Sequence, residues 1–119
     1  MTQTLAASTT APTTHQNQPD FERLSEIFKL LSDRNRLHIL WCICQEECSV
    51  GTICELTGLG QANVSKHLQM LRMGKIVACR KAGNSRIYFL ADTKYLSLCA
   101  QSLIDLSINP PTEVASCED

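Results

Sequence analysis

Five polar side chains close together in the chain, Gln61, Asn63, Ser65, Lys66 and His67, carry the donors and acceptors needed to read the edges of nucleic-acid bases. Glutamine and asparagine can bond adenine bidentately, serine suits several base edges, and lysine meets guanine or a phosphate. An amphipathic helix lying in water would show a similar polar face, so the flanking segments must decide between the two readings. A second group lies downstream: Arg80, Lys81, Asn84 and Arg86, whose charges and amide suit phosphate or minor-groove contact. Arg36, beside Arg34 and Asn35, is a further candidate for the phosphate backbone.

A formal net charge of −1 over 119 residues does not by itself point to a polyanionic partner. The distribution of charge does. Six of the 11 basic residues (Lys66, Arg72, Lys75, Arg80, Lys81 and Arg86) fall between Leu56 and Ala91, where none of the 12 acidic residues lies. A basic block on an otherwise acidic chain is an electrostatic footprint for phosphate. The alternative is a protein-contact module that docks an acidic partner through the same block and has no preference for DNA sequence.

Seven cysteines form the remaining chemistry. With no signal peptide and no apolar run near 18 residues, the expected setting is the cytoplasm, away from membranes, where thiols stay reduced, bind metals or sense oxidants. Cys42 and Cys44 point in different directions on a helix, whereas Cys44 and Cys48, four apart, can meet if the chain stays helical or turns tightly. Cys54 and Cys79 read as small buried fillers. Cys42-x-Cys44 lacks the two-residue spacer of the usual redox motif. The chain also shows no Ser/His/Asp set, phosphate loop or paired carboxylates, so no enzyme is expected.

The elements that must position these residues follow from periodicity. Ser49 can cap a short helix containing Val50, Ile53, Cys54 and Leu56, and Gly58 lies just past its end. Val64, Leu68 and Leu71 at i, i+4 and i+7 then give a second helix, Gln61–Met73, an apolar stripe opposite its polar face. Two helices joined by a short Gly-containing turn make a helix-turn-helix, whose second helix enters the major groove by its N-terminal half. Upstream, Phe21, Leu24, Phe28 and Leu31 mark an amphipathic helix with Glu22, Arg23, Glu26 and Lys29 outward. Next comes a helix capped by Ser32 or Asp33, carrying Leu37, Ile39, Leu40, Trp41, Ile43 and Cys44. Downstream, 75–81 and 85–90 read as strands of a hairpin turning at Gly83-Asn84, a wing. Asp92 caps a last helix with Leu96, Cys99, Leu103 and Leu106 in a stripe that suggests an intersubunit seam. The expected architecture is mostly α with a β-hairpin wing, a dimeric winged helix-turn-helix in the order α-α-α-α-β-β-α. Residues 1–18 are expected to be a disordered arm, 19–108 the folded domain and 109–119 a flexible tail.

This order, with LSDRNRLHIL (31–40), SVGTICELTGLGQANVSKHLQMLRMGKIV (49–77) and RKAGNSRIYFL (80–90), resembles the ArsR/SmtB family of winged-helix repressors. The resemblance runs from about Phe21 to Leu106. It implies a homodimer paired through the first and last helices, bound to an imperfect palindrome in double-stranded DNA and released by an effector or by thiol modification. It also implies the contact sets named above, with Ser85 joining Arg80, Lys81, Asn84 and Arg86 on the wing. Soft-metal sensors of the family often carry Cys-Val-Cys where this chain has Ser49-Val50-Gly51. Zinc and nickel sensors use Asp and His on the last helix, where Asp92 is kept but Lys94 and Asp105 replace the histidines. Thiol sensors of the family place a redox pair at positions that map to Cys42 and Cys99. The sensing candidates are therefore Cys42, Cys99, Cys44 and Cys48. No metal is named by these residues. A thiolate-bound metal ion or arsenite, or no cofactor at all, stay open.

Overall fold

The computed structural model describes residues 18–99 and 101–112, the side chains of 98, 99 and 101–103 excepted. The expected arm and most of the expected tail lie outside these residues. The first helix, α1 (Phe21–Leu31), is opened by Asp20, whose carboxylate accepts the Arg23 amide at 3.0 Å. Asp33 opens α2 (Arg34–Gln45), accepting the amides of Asn35 and Arg36, both at 3.0 Å. Each carboxylate satisfies donors that have no partner inside the helix and meets the positive end of its dipole.

After α2 the chain passes through a two-residue strand, β1 (Cys48–Ser49), directly into α3 (Val50–Thr57). Ser49 Oγ accepts the Thr52 amide at 3.2 Å, as its cap position requires. Gly58 leaves α3 at φ 78°, a left-handed conformation that glycine adopts without steric cost. Thr57 steadies the turn, donating its hydroxyl to Ile53 O and accepting the Leu59 amide. The second helix of the helix-turn-helix, α4 (Gln61–Met73), follows.

Strands β2 (Val77–Ala82) and β3 (Ser85–Leu90) pair antiparallel from Val77↔Leu90 to Ala82↔Ser85. Of the two turn residues only Gly83 has positive φ, 65°, the pattern of a type II′ hairpin. The sheet has three strands in the order β1-β3-β2, because β1 pairs with β3 at Cys48↔Tyr88 and Ser49↔Ile87. The sequence reading contains no β1, since two residues are too few for a period-2 signal to register.

The core lies where α2, α3, α4 and the base of the wing converge. Ile39, Leu40, Ile53, Val64, Leu68, Leu71 and Ile76 are buried there; each contributes about 1.5–3 kcal/mol of transfer free energy. Leu37 and Trp41, expected within the apolar band of α2, are instead exposed. The last segment also departs from expectation. It is a 3-10 helix, Thr93–Cys99, followed by α5 (Gln101–Ile108). Asp92 Oδ1 accepts the Lys94 amide at 2.9 Å, closing a tight turn two residues on rather than capping a full α-turn.

Candidate nucleic-acid interface

Helix α4 is two-sided in the manner its sequence requires. Val64, Leu68 and Leu71 are buried, while Gln61, Asn63, Ser65 and Lys66 are exposed along its N-terminal half. Its first residue follows Gly60, which supplies no side-chain cap. The opening amides of α4 are thus left for other acceptors, and a helix start with open N–H groups favours an anion.

His67 takes a different place. It is only 8% exposed, turned toward the start of α2. Arg36 Nη1 lies 3.5 Å from His67 Nδ1, and Asp33 Oδ2 lies 3.9 Å from His67 Nε2. A guanidinium can only donate, so Nδ1 is the acceptor and the ring proton belongs on Nε2, toward the carboxylate. Arg36 is equally committed: Nε donates to Leu30 O at 2.6 Å and Nη1 points to Met70 Sδ at 3.3 Å. Arg36 and His67 thus join the end of α1, the start of α2 and the middle of α4. The Asp33 carboxyl is held below its ordinary 3.8, chiefly by the amide of Arg36; burial opposes the lowering, and the Arg36 guanidinium and the Asn35 amide add to it.

On the wing, Lys81, Asn84, Ser85 and Arg86 are exposed at the tip. Arg80 is partly spent: it pairs with Glu47 at 2.7 Å and sits 5.5 Å over the Phe89 ring. Arg86 reaches back to Cys79 Sγ at 3.7 Å. An open groove of about 390 Å³ is lined by Ser49, Val50, Gly51, Gln61, Asn84, Ser85 and Arg86. The fold therefore brings the first residue of the recognition helix together with the wing tip.

Three residues that hold this geometry escape a reading by residue type. Arg23, expected to face outward, is half-buried and donates from Nη2 to Gly74 O at 2.8 Å. Gly74 itself has φ −80°, so its smallness is steric: a Cβ there would collide with Leu30 Cδ1. Glu47 neutralises Arg80 from across the sheet edge. Only the absence of an acidic residue within the basic block could have hinted that Arg80 would find its partner outside it.

The cysteines of the described residues fall into different settings. Cys42 is a free, buried thiol packed in the core. Cys44 is the disulfide-bonded member of α2. It lies on another side of the helix, along a groove shared with Phe89, Leu90, Thr93 and Leu96. Its partner and the Cys99 side chain lie outside the described side chains. Cys48 is free and buried, so it is not joined to Cys44, and Cys54 and Cys79 are free and half-buried. Burial pushes the Cys42 thiol up; burial, then the neighbouring Cys42 and Glu46, push Cys48 up. Ser49, at the place of the family's first soft-metal cysteine, serves as a helix cap, and Asp92 is engaged in its own turn. Among the described residues no three or more His, Cys, Asp or Glu side chains are grouped to hold a metal ion, and no helix there is long and apolar enough to cross a membrane.

Residues 33–77 match the model of the arsR family of bacterial regulatory proteins. The regulator KmtR of Mycobacterium tuberculosis is 37% identical over 65 residues, which are 55% of this chain and 50% of that protein. The cadmium resistance regulatory protein CadC of Listeria innocua is 33% identical over 96 residues, covering 80% of this chain and 76% of CadC. The homodimeric winged helix-turn-helix DNA-binding domain of Mb0332 from Mycobacterium bovis superimposes with a TM-score of 0.68 at 26% identity, over 83% of this chain and 98% of that one. These relatives are transcriptional regulators and not enzymes. The polar face of α4, the basic wing beside it and these relationships together place the chain in the ArsR family of DNA-binding transcriptional regulators.

Proposed function

We propose that the protein is a cytoplasmic homodimeric repressor that binds an imperfect palindrome in double-stranded DNA and leaves it in response to chemistry at its cysteines. The observation that carries the DNA assignment is the meeting of exposed Gln61 with Asn84, Ser85 and Arg86 along one groove. Gln61, Asn63, Ser65 and Lys66 then face base edges, while Lys81, Asn84, Ser85 and Arg86 hold the backbone. Arg36 and His67 serve by fixing the helix rather than by touching DNA.

Dimerisation through the first and last helices is supported by the apolar side chains these segments leave in solvent. Phe21 is 62% and Phe28 59% exposed on α1, and Leu96, Leu106 and Ile108 are exposed on the last segment. Release by a metal, a metalloid or thiol oxidation is supported by the free thiols of Cys42 and Cys48, the disulfide at Cys44 and the words cadmium resistance in the name of one relative.

The test is fluorescence-anisotropy binding of the reduced, metal-free protein to the DNA upstream of its own gene, repeated after mild oxidation. Tight, sequence-dependent binding lost on oxidation supports the repressor with a thiol switch. Tight binding in both states moves the switch to a metal or metalloid. Binding that ignores sequence in both states replaces the repressor with a protein-contact module.

A further inference from the structure

We propose that Cys42 and Cys48 form a two-thiol site for a soft, two-coordinate d10 cation of the silver(I) and copper(I) kind, and that filling it weakens DNA binding. The regulatory half rests on the repressor reading above; the binding half does not. The two residues close the end of α2: the Cys42 carbonyl accepts the Glu46 amide at 3.2 Å, and the chain folds back so that Cys48 Sγ lies 3.6 Å from that carbonyl. Cys48 Sγ also donates to Glu46 O at 2.9 Å. Both residues line one pocket of about 370 Å³, walled by Trp41, Thr52 and Leu56, with Glu46 and Glu47 beside them.

The donor set selects the ligand. Thiolate sulfur prefers soft cations, whereas the glutamate oxygens suit hard ones. Among the described residues no third side chain joins the two thiols to make a three- or four-coordinate cluster, so the ion must be content with two donors. Cys42 and Cys48 are 2% and 4% exposed; such burial disfavours the −2 charge of two bare thiolates, which a bound monovalent ion halves. Binding replaces two S–H bonds with two metal–sulfur bonds: two thiols and one M⁺ give a bis-thiolate of charge −1 and two released protons. The metal is neither oxidised nor reduced. Two thiols enter the site and two thiolates hold the ion, so two protons leave for each ion bound.

The route to DNA is short. Cys48 is the first residue of β1, paired with Tyr88 of the wing's central strand, and the next residue, Ser49, caps α3 of the helix-turn-helix. Deprotonation removes the donation from Cys48 to Glu46 O, and drawing its sulfur onto the metal shifts the wing and α3 together.

Silver(I) nitrate is titrated into the reduced, full-length protein in chloride-free buffer, with zinc(II) as control. Trp41, the chain's single tryptophan, lines the pocket and reports filling through its fluorescence. Expected are quenching that ends at one silver per protomer, release of two protons per ion and two sulfur neighbours by X-ray absorption. Operator affinity should fall about tenfold, within the 5–150-fold span usual for coupled sites. Cys42→Ser and Cys48→Ser should each abolish the response, while Cys54→Ser and Cys79→Ser keep it. Should the first two fail to fold, a chain whose other five cysteines are serine should still bind one silver. Loss of binding in that chain, three or more sulfur neighbours, or an equal response to zinc overturns the site. Silver bound at these thiols with unchanged operator affinity overturns the coupling. Failure of the metal-free protein to bind DNA counts against the repressor alone and leaves the silver titration readable.

Discussion

Arg23 on α1 donates from its guanidinium to the carbonyl oxygen of Gly74, 51 residues away, at 2.8 Å. That carbonyl ends α4, so the helix proposed to pair subunits and the helix proposed to face DNA are fastened at one point. Leu30 packs against Gly74 at the same junction, where a Cβ has no room. Gly74→Ala should therefore cost about 1–3 kcal/mol through overpacking. Combined with Leu30→Ala, the two losses should be less than additive, because the smaller partner removes the clash. Urea unfolding of the four proteins checks this, and strictly additive losses would remove the junction from the account.

Contacts to bases and to phosphates should separate in a binding assay. Asn63→Ala should cost about 1–3 kcal/mol on the operator and relax preference at one base pair. Lys81→Glu with Arg86→Glu should weaken all DNA sequences alike. If each protomer neutralises about four phosphates, the dimer should show a log–log salt slope near −7, and the double variant a shallower one. A flat salt response in the unaltered protein would argue against phosphate contact altogether.

Arg80 carries charge that Glu47 holds back. Glu47→Gln should release it, raising affinity for DNA of any sequence and steepening the salt slope by up to about one charge per protomer. The pair is exposed on both sides, so the same change should leave thermal stability nearly unaltered. Anisotropy at several salt concentrations, with a melting curve, tests both halves.

Asp33 links stability to pH. Its carboxyl is held below 3.8 in the folded chain, so the folded state binds fewer protons than the unfolded state in acid. The stabilisation is present above pH 3.8 and is lost as pH falls through the lower folded value. Asp33→Asn keeps a capping oxygen but cannot titrate. It should melt earlier than the unaltered protein at neutral pH and decline less steeply in acid. Melting temperatures measured from pH 7 downward would show parallel curves if Asp33 had no such role.

Much of this was legible in the residues because it is local. The caps at Asp33 and Ser49, the left-handed Gly58, the Gly83 turn and the Val64/Leu68/Leu71 stripe each state their role within a few positions. What escaped depends on distant partners. His67 sits among the candidate base-reading residues in sequence, yet helical geometry turns it inward, where Asp33 and Arg36 await it. Cys42 and Cys44 were distinguishable only as pointing apart. Which one faced the core and which carried the disulfide depended on the packing of α2 against α3 and β3.

The small strand β1 bears on how far this protein can be taken apart. Because Cys48 and Ser49 pair with β3, the wing is a three-stranded unit whose outer strand belongs to the linker before the helix-turn-helix. A hairpin of residues 77–90 transplanted into a relative would leave that edge behind, together with the Glu47 that holds Arg80. The exchangeable part for building chimeric regulators is therefore discontinuous. Residues 47–49 have to travel with the wing, and a chimera without them inherits the hairpin's sequence but not its set.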